Sequence, residues 1–147
     1  MTSNEATREM IEEARIEDIR LVTVNADARN YEELPETVRV EFEMGGFHTR
    51  AVEFGIMVRV QANARFCVEG EKEGESASTL AEISLLYEVD VSMPPHLVEQ
   101  CPPPADVMTT IIDSKIAPFV YPYVRAKVHT LSTELPLPTT LIPAEAP

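Results

Sequence analysis

The side chains best able to do chemistry in this chain are three histidines and two cysteines, and their spacing supports no shared site. His48, His96 and His129 are scattered, and none has metal-ligand spacing to Cys67 or Cys101. No serine, cysteine or aspartate stands in a nucleophile elbow, and no glycine-rich loop suits a phosphate. Nothing near Cys101, which precedes three prolines, would lower the pKa of its thiol. The sequence therefore predicts no catalytic residue, no metal site and no cofactor, and it indicates a protein that is not an enzyme.

The charge balance limits the class of partner. The chain has 25 Asp and Glu residues against 12 Lys and Arg residues, a net charge of −13. The basic residues are scattered singly, so the pattern excludes nucleic acid. No apolar run approaches the roughly 18 residues that a membrane span needs. The acidic N-terminus does not resemble a secretory signal, and we expect a cytoplasmic protein with reduced cysteines and no membrane insertion.

Alternating apolar residues predict four strands in one domain, 1–147. Residues 16–28 are rich in β-branched side chains, and 37–44 alternates strictly between apolar and charged residues. Gly45-Gly46 then marks a bulge or a strand break. The longer runs 56–68 and 81–91 are joined by an acidic loop and should pair antiparallel. The predicted fold class is α+β, a four-stranded antiparallel sheet with helices packed on one face.

Three stretches have helical patterns. Residues 3–15 form a thin amphipathic helix, and Asp106 is expected to cap a brief helix that ends near residue 116. The third helix should begin around Pro118 to Pro122, because a proline without an amide proton is tolerated best in a first turn, and it should stop before Pro136. Its apolar residues recur every three or four positions as one stripe: Val120, Val124, Val128, Leu131 and Leu135.

The residues of this third helix resemble the SecB family of export chaperones. The run Phe119-Val120-Tyr121-Pro122-Tyr123-Val124-Arg125 is similar to the aromatic-Pro-Tyr-x-Arg motif that opens the main helix of that family. Leu135-Pro136 and Leu141-Ile142-Pro143 are similar to the apolar-Pro step that ends the helix and to a second Leu-x-Pro segment. The resemblance implies an ATP-independent holdase that binds unfolded or precursor proteins and keeps them competent for translocation by SecA.

The resemblance also implies a homotetramer built as a dimer of dimers. An independent expectation agrees with it, because the apolar faces of 56–68 and 81–91 need more cover than one short set of helices supplies, and self-association is a common solution. We predict that the stripe of the third helix contributes to the interface between copies. The predicted interface residues are Val120, Tyr123, Val124, Val128 and Leu131.

A second group of residues is predicted to bind the client protein. Strand 37–44 and the stretch after the glycine pair would form one wall of an adaptable apolar groove, and the end of the third helix would form the other. The alternative, that these residues belong to the core, stays open. The predicted client-binding residues are Val40, Phe42, Met44, Phe47, Phe54, Leu135, Leu137, Leu141 and Ile142.

Two departures from the family leave the client open. Well-known members continue into a further helix and a tail that contacts SecA, whereas this sequence ends at Pro147 and begins with an additional helix. Both features resemble those of SecB-like chaperones from toxin–antitoxin systems. That resemblance implies one dedicated antitoxin client. An alternative from another class is an acidic oligomeric adaptor that binds a folded partner through its sheet.

Overall fold

The computed structural model describes residues 3–28, 38–68 and 79–135. Within these ranges the chain forms a sheet of four long strands followed by a layer of helices. The elements are α1 (Ser3–Glu13), β1 (Arg15–Ala28), β2 (Val38–Val52), β3 (Gly55–Val68), β4 (Thr79–Ser92), a 3-10 helix (Pro95–Gln100), α2 (Ala105–Ile111), a π turn (Ile112–Ile116) and α3 (Ala117–Glu134).

The strands form one antiparallel sheet in the order β1-β4-β3-β2. The predicted α+β class and four-stranded sheet are confirmed. β1 and β2 are the two edge strands. β1 pairs with β4, and β2 pairs with β3 at the opposite edge of the sheet. β2 continues through Gly45-Gly46, where its register against β3 shifts between Gly45 and His48. The glycine pair is therefore a bulge within one strand, and Gly46 supplies the positive φ of 61°.

One face of the sheet, here called the inner face, is apolar and covered by the helices. The alternating residues of β3 pair with those of β4, as in Val58 with Val89 and Ala62 with Leu85, and all four are fully buried. Buried side chains of α1, α2 and α3 belong to the same core. The expectation that one set of helices could not cover the apolar faces of 56–68 and 81–91 was wrong, because these faces of β3 and β4 are buried within one chain, whereas part of β1 stays uncovered.

The opposite face of the sheet, the outer face, is polar and carries ion pairs between and along its strands. Arg20 on β1 pairs with Asp90 on β4, and Arg59 on β3 lies 3.8 Å from Glu88 on β4. Arg65 on β3 likewise lies 3.6 Å from Glu41 on β2. Opposite charges on neighbouring strands stabilise the exposed part of this face in water, whereas Met57, Cys67 and Leu80 on the same face are buried.

The backbone from Ala105 to Glu134 is one continuous helical run. The amide of Ala117 donates to the carbonyl of Ile112, which makes the wider π turn that joins α2 to α3. α3 begins at Ala117 with Pro118 in its first turn, next to the predicted start around Pro118 to Pro122, although it continues directly from the π turn and Pro122 lies inside it. A proline ring clashes with the carbonyl four residues earlier, and the wider turn before Pro118 relieves that crowding.

The start of α2 also differs from the prediction. Pro104 occupies the capping position and no side chain caps the helix, whereas Asp106 lies in the first turn. There its carboxylate still favours the helix, because the first turn carries the positive end of the helix dipole. None of the helices in the described ranges is long and apolar enough to cross a membrane.

Candidate binding surfaces

Helix α3 lies across the inner face and divides it into two flanks. Its stripe of Val120, Val124 and Val128 is buried against the sheet. Tyr121 and Tyr123 are two residues apart, about 200° around a helix, and so point to opposite sides. Tyr121 faces β2, where it meets Phe42, and Tyr123 faces β1 and β4. The two flanks are therefore built from different strands and can serve different partners.

The β2 flank holds most of the described residues that were predicted to bind a client. The ring of Phe42 meets the ring of Tyr121 edge to face, with centroids 5.6 Å apart and planes at 76°. Val40, Met44 and Phe47 are half-buried and pack against the core beside Phe42. These side chains pack at the edge of the core and also keep part of their apolar surface in water, and their part in client binding stays a prediction.

The other predicted client-binding residues are separated from this flank or lie outside the described residues. Phe54 is 42% exposed at the turn between β2 and β3, where its carbonyl accepts a 2.9 Å hydrogen bond from the amide of Met93. Ten residues of β2 separate Phe42 from Val52 beside that turn, about 33 Å of strand. Leu135 is half-buried at the end of α3 and packs on the core. Leu137, Leu141 and Ile142 lie outside the described residues.

The β1 flank is open. Between α3 and the edge strand β1 lies a cleft of about 350 Å³, here called the β1–α3 cleft. At its floor Tyr87 is 5% exposed, and its hydroxyl donates to the carbonyl of Tyr123 at 3.4 Å. Burial raises the pKa of Tyr87, so the phenol stays neutral near pH 7. The cleft is lined by Ile19, Leu21, Tyr87, Tyr123, Ala126, Lys127 and Thr130.

Most of the exposed large apolar side chains of the described residues lie on the two elements that border this cleft. Five of the six lie on β1 or α3, and Phe54 is the exception. The rings of Phe119 and Tyr123 lie side by side on α3 with centroids 5.5 Å apart. Exposed apolar patches of this kind mark interaction surfaces more often than isolated exposed residues do. The five exposed apolar side chains on β1 and α3 are Leu21, Val22, Val24, Phe119 and Tyr123.

The structure divides the predicted interface residues into two groups. Val120, Val124 and Val128 are at most 2% exposed, because the chain's own sheet covers them, so they have no surface left for a second copy. Tyr123 is 47% exposed beside the cleft, and Leu131 is half-buried. For these two residues a place in the interface stays a prediction. Tyr123 lies beside Leu21 of β1, so β1 would belong to the same interface.

Sequence reasoning missed the part of β1 in this surface. Leu21 pairs with Tyr87 and Val24 pairs with Leu85, so both lie on the inner face, although alternation alone would place them on opposite faces. A register shift between Leu21 and Thr23 makes the difference, with Val22 as the extra residue of a bulge. The sequence signal for this bulge was the consecutive apolar pair Leu21-Val22, because neighbouring side chains of a regular strand point to opposite faces.

The residues first considered for chemistry do not form a shared site within the described residues. His96 pairs with Glu9 at 2.8 Å, and His48 and His129 are exposed. Cys67 is buried, and burial raises the pKa of the half-buried Cys101, which disfavours its reactive thiolate. In the described ranges no three of the histidine, cysteine and acidic side chains come together in a group that could hold a metal ion.

Comparison with known proteins identifies this architecture. The SecB-like chaperone Rv1957 of Mycobacterium tuberculosis, solved in complex with a ChAD peptide from the Rv1956 HigA1 antitoxin, superposes with a TM-score of 0.72. The match covers 97% of this chain and 98% of that chain. The fold is SecB-like. The two sequences are only 17% identical, so the likeness lies in the arrangement of strands and helices along almost the whole chain.

The other comparisons add little to the SecB-like fold. No family model matches the sequence, and no curated protein does. A Streptococcus agalactiae protein of unknown function is 15% identical over 88% of this chain and 98% of its own, with a TM-score of only 0.24. The resemblance carried by the aromatic-Pro-Tyr-x-Arg motif thus agrees with the three-dimensional likeness, and the prediction of a SecB-like fold is confirmed.

Proposed function

We propose that this protein is a SecB-like holdase, a chaperone that binds segments of unfolded or precursor proteins without nucleotide and keeps them from aggregating. The observation that supports this most is the likeness to a SecB-like chaperone over 97% of the chain. Holding an extended segment requires apolar surface and no catalytic residue, which fits the scattered histidines and the buried cysteine. Many weak apolar contacts along one client would give affinity through avidity.

The proposed client surface is the β2 flank with its half-exposed Val40, Phe42, Met44 and Phe47. A methionine beside two aromatic rings can repack around varied side chains, which suits a binder of many sequences. The edge position of β2 favours an extended client, because one side of an edge strand has no neighbour within the described residues. In this proposal the end of α3 at Leu135 and the segment after it complete the surface.

The proposed assembly is a homotetramer in which the β1–α3 cleft lies between copies. Five exposed apolar side chains lie on the two elements that border the cleft, and exposed apolar patches mark interaction surfaces. Two copies related by a two-fold axis would cover the same patch on each other. Assembly through β1 leaves β2, at the other edge of the sheet, free for clients.

The test is light scattering from an aggregating unfolded protein, with and without this protein and in the absence of nucleotide. We expect the wild type to suppress aggregation at near-equimolar amounts. Phe42→Ser and Phe47→Ser should weaken suppression several-fold. Phe54→Ser is the matched control, since Phe54 is 42% exposed at the turn between β2 and β3, away from both flanks.

The outcomes separate the function from its location. A wild type that leaves aggregation unchanged would refute the holdase. If the wild type suppresses aggregation but Phe42→Ser and Phe47→Ser both match it, the function stands and the β2 flank is the wrong surface. Because Phe47 packs on the core, the melting temperature of each variant is measured as well, and loss of holding together with loss of stability would identify a core residue instead.

A second candidate is a dedicated chaperone of an antitoxin. The favouring observation is that the structurally similar Rv1957 was solved with a peptide from an antitoxin. A dedicated chaperone should bind one disordered segment far more tightly than unrelated unfolded chains. Competition among a set of unrelated unfolded proteins would distinguish the two, because a general holdase gives similar affinities and a dedicated one does not. An adaptor, the third possibility, would ignore unfolded chains and bind a native partner.

A further inference from the structure

Helix α1 is attached to the rest of the fold by little apolar surface. Among residues 4–13 of α1, whose burial is described, only Ala6 and Met10 are buried, and Ala14, which follows directly after the helix, is buried as well. Ile11 adds a half-buried contact with the core. An isolated helix of this length is unstable in water, so α1 exists only while it is docked. One methionine and two alanines contribute much less apolar burial than the stripe of α3 or the inner face of β3.

A single lysine supplies the most specific contact of α1. The Nζ of Lys115 donates to the carbonyl of Glu12 at 2.9 Å and to the carbonyl of Ala14 at 2.7 Å. The last carbonyls of a helix lack partners within it and carry the negative end of the helix dipole, so an ammonium group is well suited there. The last turn of α1 has no basic residue of its own, and Lys115 takes that role from another element.

The position of Lys115 in the π turn connects this contact to the helix layer. The π turn adds a residue to the turn between α2 and α3, and it presents Lys115 toward α1 while the next residue, Ile116, is fully buried. A second tie joins α1 to the 3-10 helix, where His96 Nε2 lies 2.8 Å from Glu9 Oε1. Both of those side chains keep contact with water, so this pair holds α1 weakly.

We propose that α1 is a strap that opens on its own while the sheet and the other helices stay folded, and that Lys115 is its latch. When the strap opens, Met10 leaves the core, and apolar surface of α2 beneath it meets water. Val107, Met108 and Ile111 of α2 are buried in the closed form, and α1 is the helix that packs on α2 from outside the continuous run. The protein thus contains an apolar surface that the closed structure hides, in addition to the β2 flank.

Native-state hydrogen exchange tests this inference on the full chain. We expect the amides in the second half of α1 to exchange by a local opening that is independent of denaturant, at least about tenfold faster than the central amides of β3. Lys115→Met keeps the apolar stem but removes the ammonium, and it should speed exchange in α1 by about tenfold, the effect of losing a charged hydrogen bond. The β3 amides should not change.

Two further variants make the result specific. Lys127→Met removes the ammonium of a lysine on the β1 flank and should leave exchange in α1 unchanged. Lys115→Arg keeps a donor for the two carbonyls and should restore most of the protection. If α1 and β3 exchange together through global unfolding in the wild type, there is no strap. If Lys115→Met leaves α1 exchange as it was, Lys115 is not the latch.

Discussion

At the scale of single residues, Arg20 fixes the edge strand β1 to the rest of the sheet. Its guanidinium donates to both carboxylate oxygens of Asp90 on β4, with Nη2 2.9 Å from Oδ1, and also to Asp18 on its own strand at 3.0 Å. The hydrogen bonds from Arg20 hold the pKa of Asp90 below its ordinary value of 3.8, and the carboxylates raise the pKa of Arg20. A bidentate pair of this kind sets register as well as stability.

This pair predicts a specific dependence of stability on pH. Because the pKa of Asp90 is lower in the folded state, the pair stabilises the fold above pH 3.8, and the contribution is lost as the pH falls through the lower folded pKa. Asp90→Asn should therefore lower the melting temperature by a few degrees near pH 7, and the difference from the wild type should shrink as the pH falls below 3.8. Circular dichroism melts over this range measure it.

A matched control for this experiment is Glu43→Gln. Glu43 lies exposed on the outer face of β2, and the described residues show no ion pair with it. Its replacement should shift the melting temperature little at any pH. A difference curve for Asp90→Asn that stays constant down to pH 2 would mean that the carboxylate charge does not stabilise the fold.

At the scale of elements, the strands could be predicted well from the sequence, whereas the β1 bulge and the π turn between α2 and α3 could not. The alternation in β3 and β4 is visible because each strand is apolar on one face only. The bulge at Val22 depends on pairing with β4, more than fifty residues away, and a local pattern cannot show it. The prolines indicated where α3 begins, but they could not show that it continues directly from α2 through the π turn at 112–116.

The candidate site was predictable to the same extent. Alternation in β2 identified the apolar face of Val40, Phe42 and Met44, but it could not show that the ring of Tyr121 would pack against Phe42. Apolar spacing likewise identified the stripe of α3 without showing which partner it faces. An apolar stripe has the same pattern whether it packs on its own sheet or on another copy. That choice is made by the path of the chain across the sheet.

The turn between β2 and β3 gives a test at this scale. Gly55 has a φ of 151°, and a Cβ on it would lie 2.5 Å from the carbonyl oxygen of Val91. Gly55→Ala should therefore lower the free energy of unfolding by about 2–4 kcal/mol through strain and displaced backbone. Urea denaturation of the variant and the wild type measures the loss.

Gly45 provides the comparison within the same strand pair. A Cβ on Gly45 would meet nothing within 4 Å. Gly45→Ala should change the free energy of unfolding by less than about 1 kcal/mol. Equal losses at the two positions would show that the close approach to Val91 is not what requires glycine at position 55.

At the scale of the whole molecule, the charge and the apolar cleft have opposite effects on assembly. Each chain carries a net charge of −13, so copies repel one another at low salt. The apolar side chains around the β1–α3 cleft favour association. Salt screens the charge repulsion but does not weaken this hydrophobic contribution. Association should therefore strengthen as salt screens the repulsion.

The proposed assembly predicts that two neighbouring residues of α3 behave differently. Light scattering after size exclusion should give a mass of about 66 kDa for the wild type, four times the 16.4 kDa of one chain. Tyr123→Ala should shift that mass toward smaller species, because the side chain is exposed beside the cleft. Val124→Ala should keep the assembly but lower the free energy of unfolding by about 1–3 kcal/mol, because its side chain is fully buried in one chain.

A wild type that remains a monomer at micromolar concentration would refute the proposed tetramer. If Tyr123→Ala leaves the mass unchanged while Val124→Ala reduces it, the interface would involve the buried stripe, and the arrangement of α3 on its sheet would have to change in the assembly.

The positions of the tyrosines allow their intrinsic fluorescence to report where a peptide binds. The sequence contains four tyrosines and no tryptophan, so its intrinsic emission comes from tyrosine alone. Tyr121 lies against the β2 flank, and Tyr123 stands in water beside the β1–α3 cleft. A peptide that carries one tryptophan therefore adds a fluorophore without background. Energy transfer to that tryptophan, compared between Tyr121→Phe and Tyr123→Phe proteins, would reveal which flank the peptide occupies without any label on the protein.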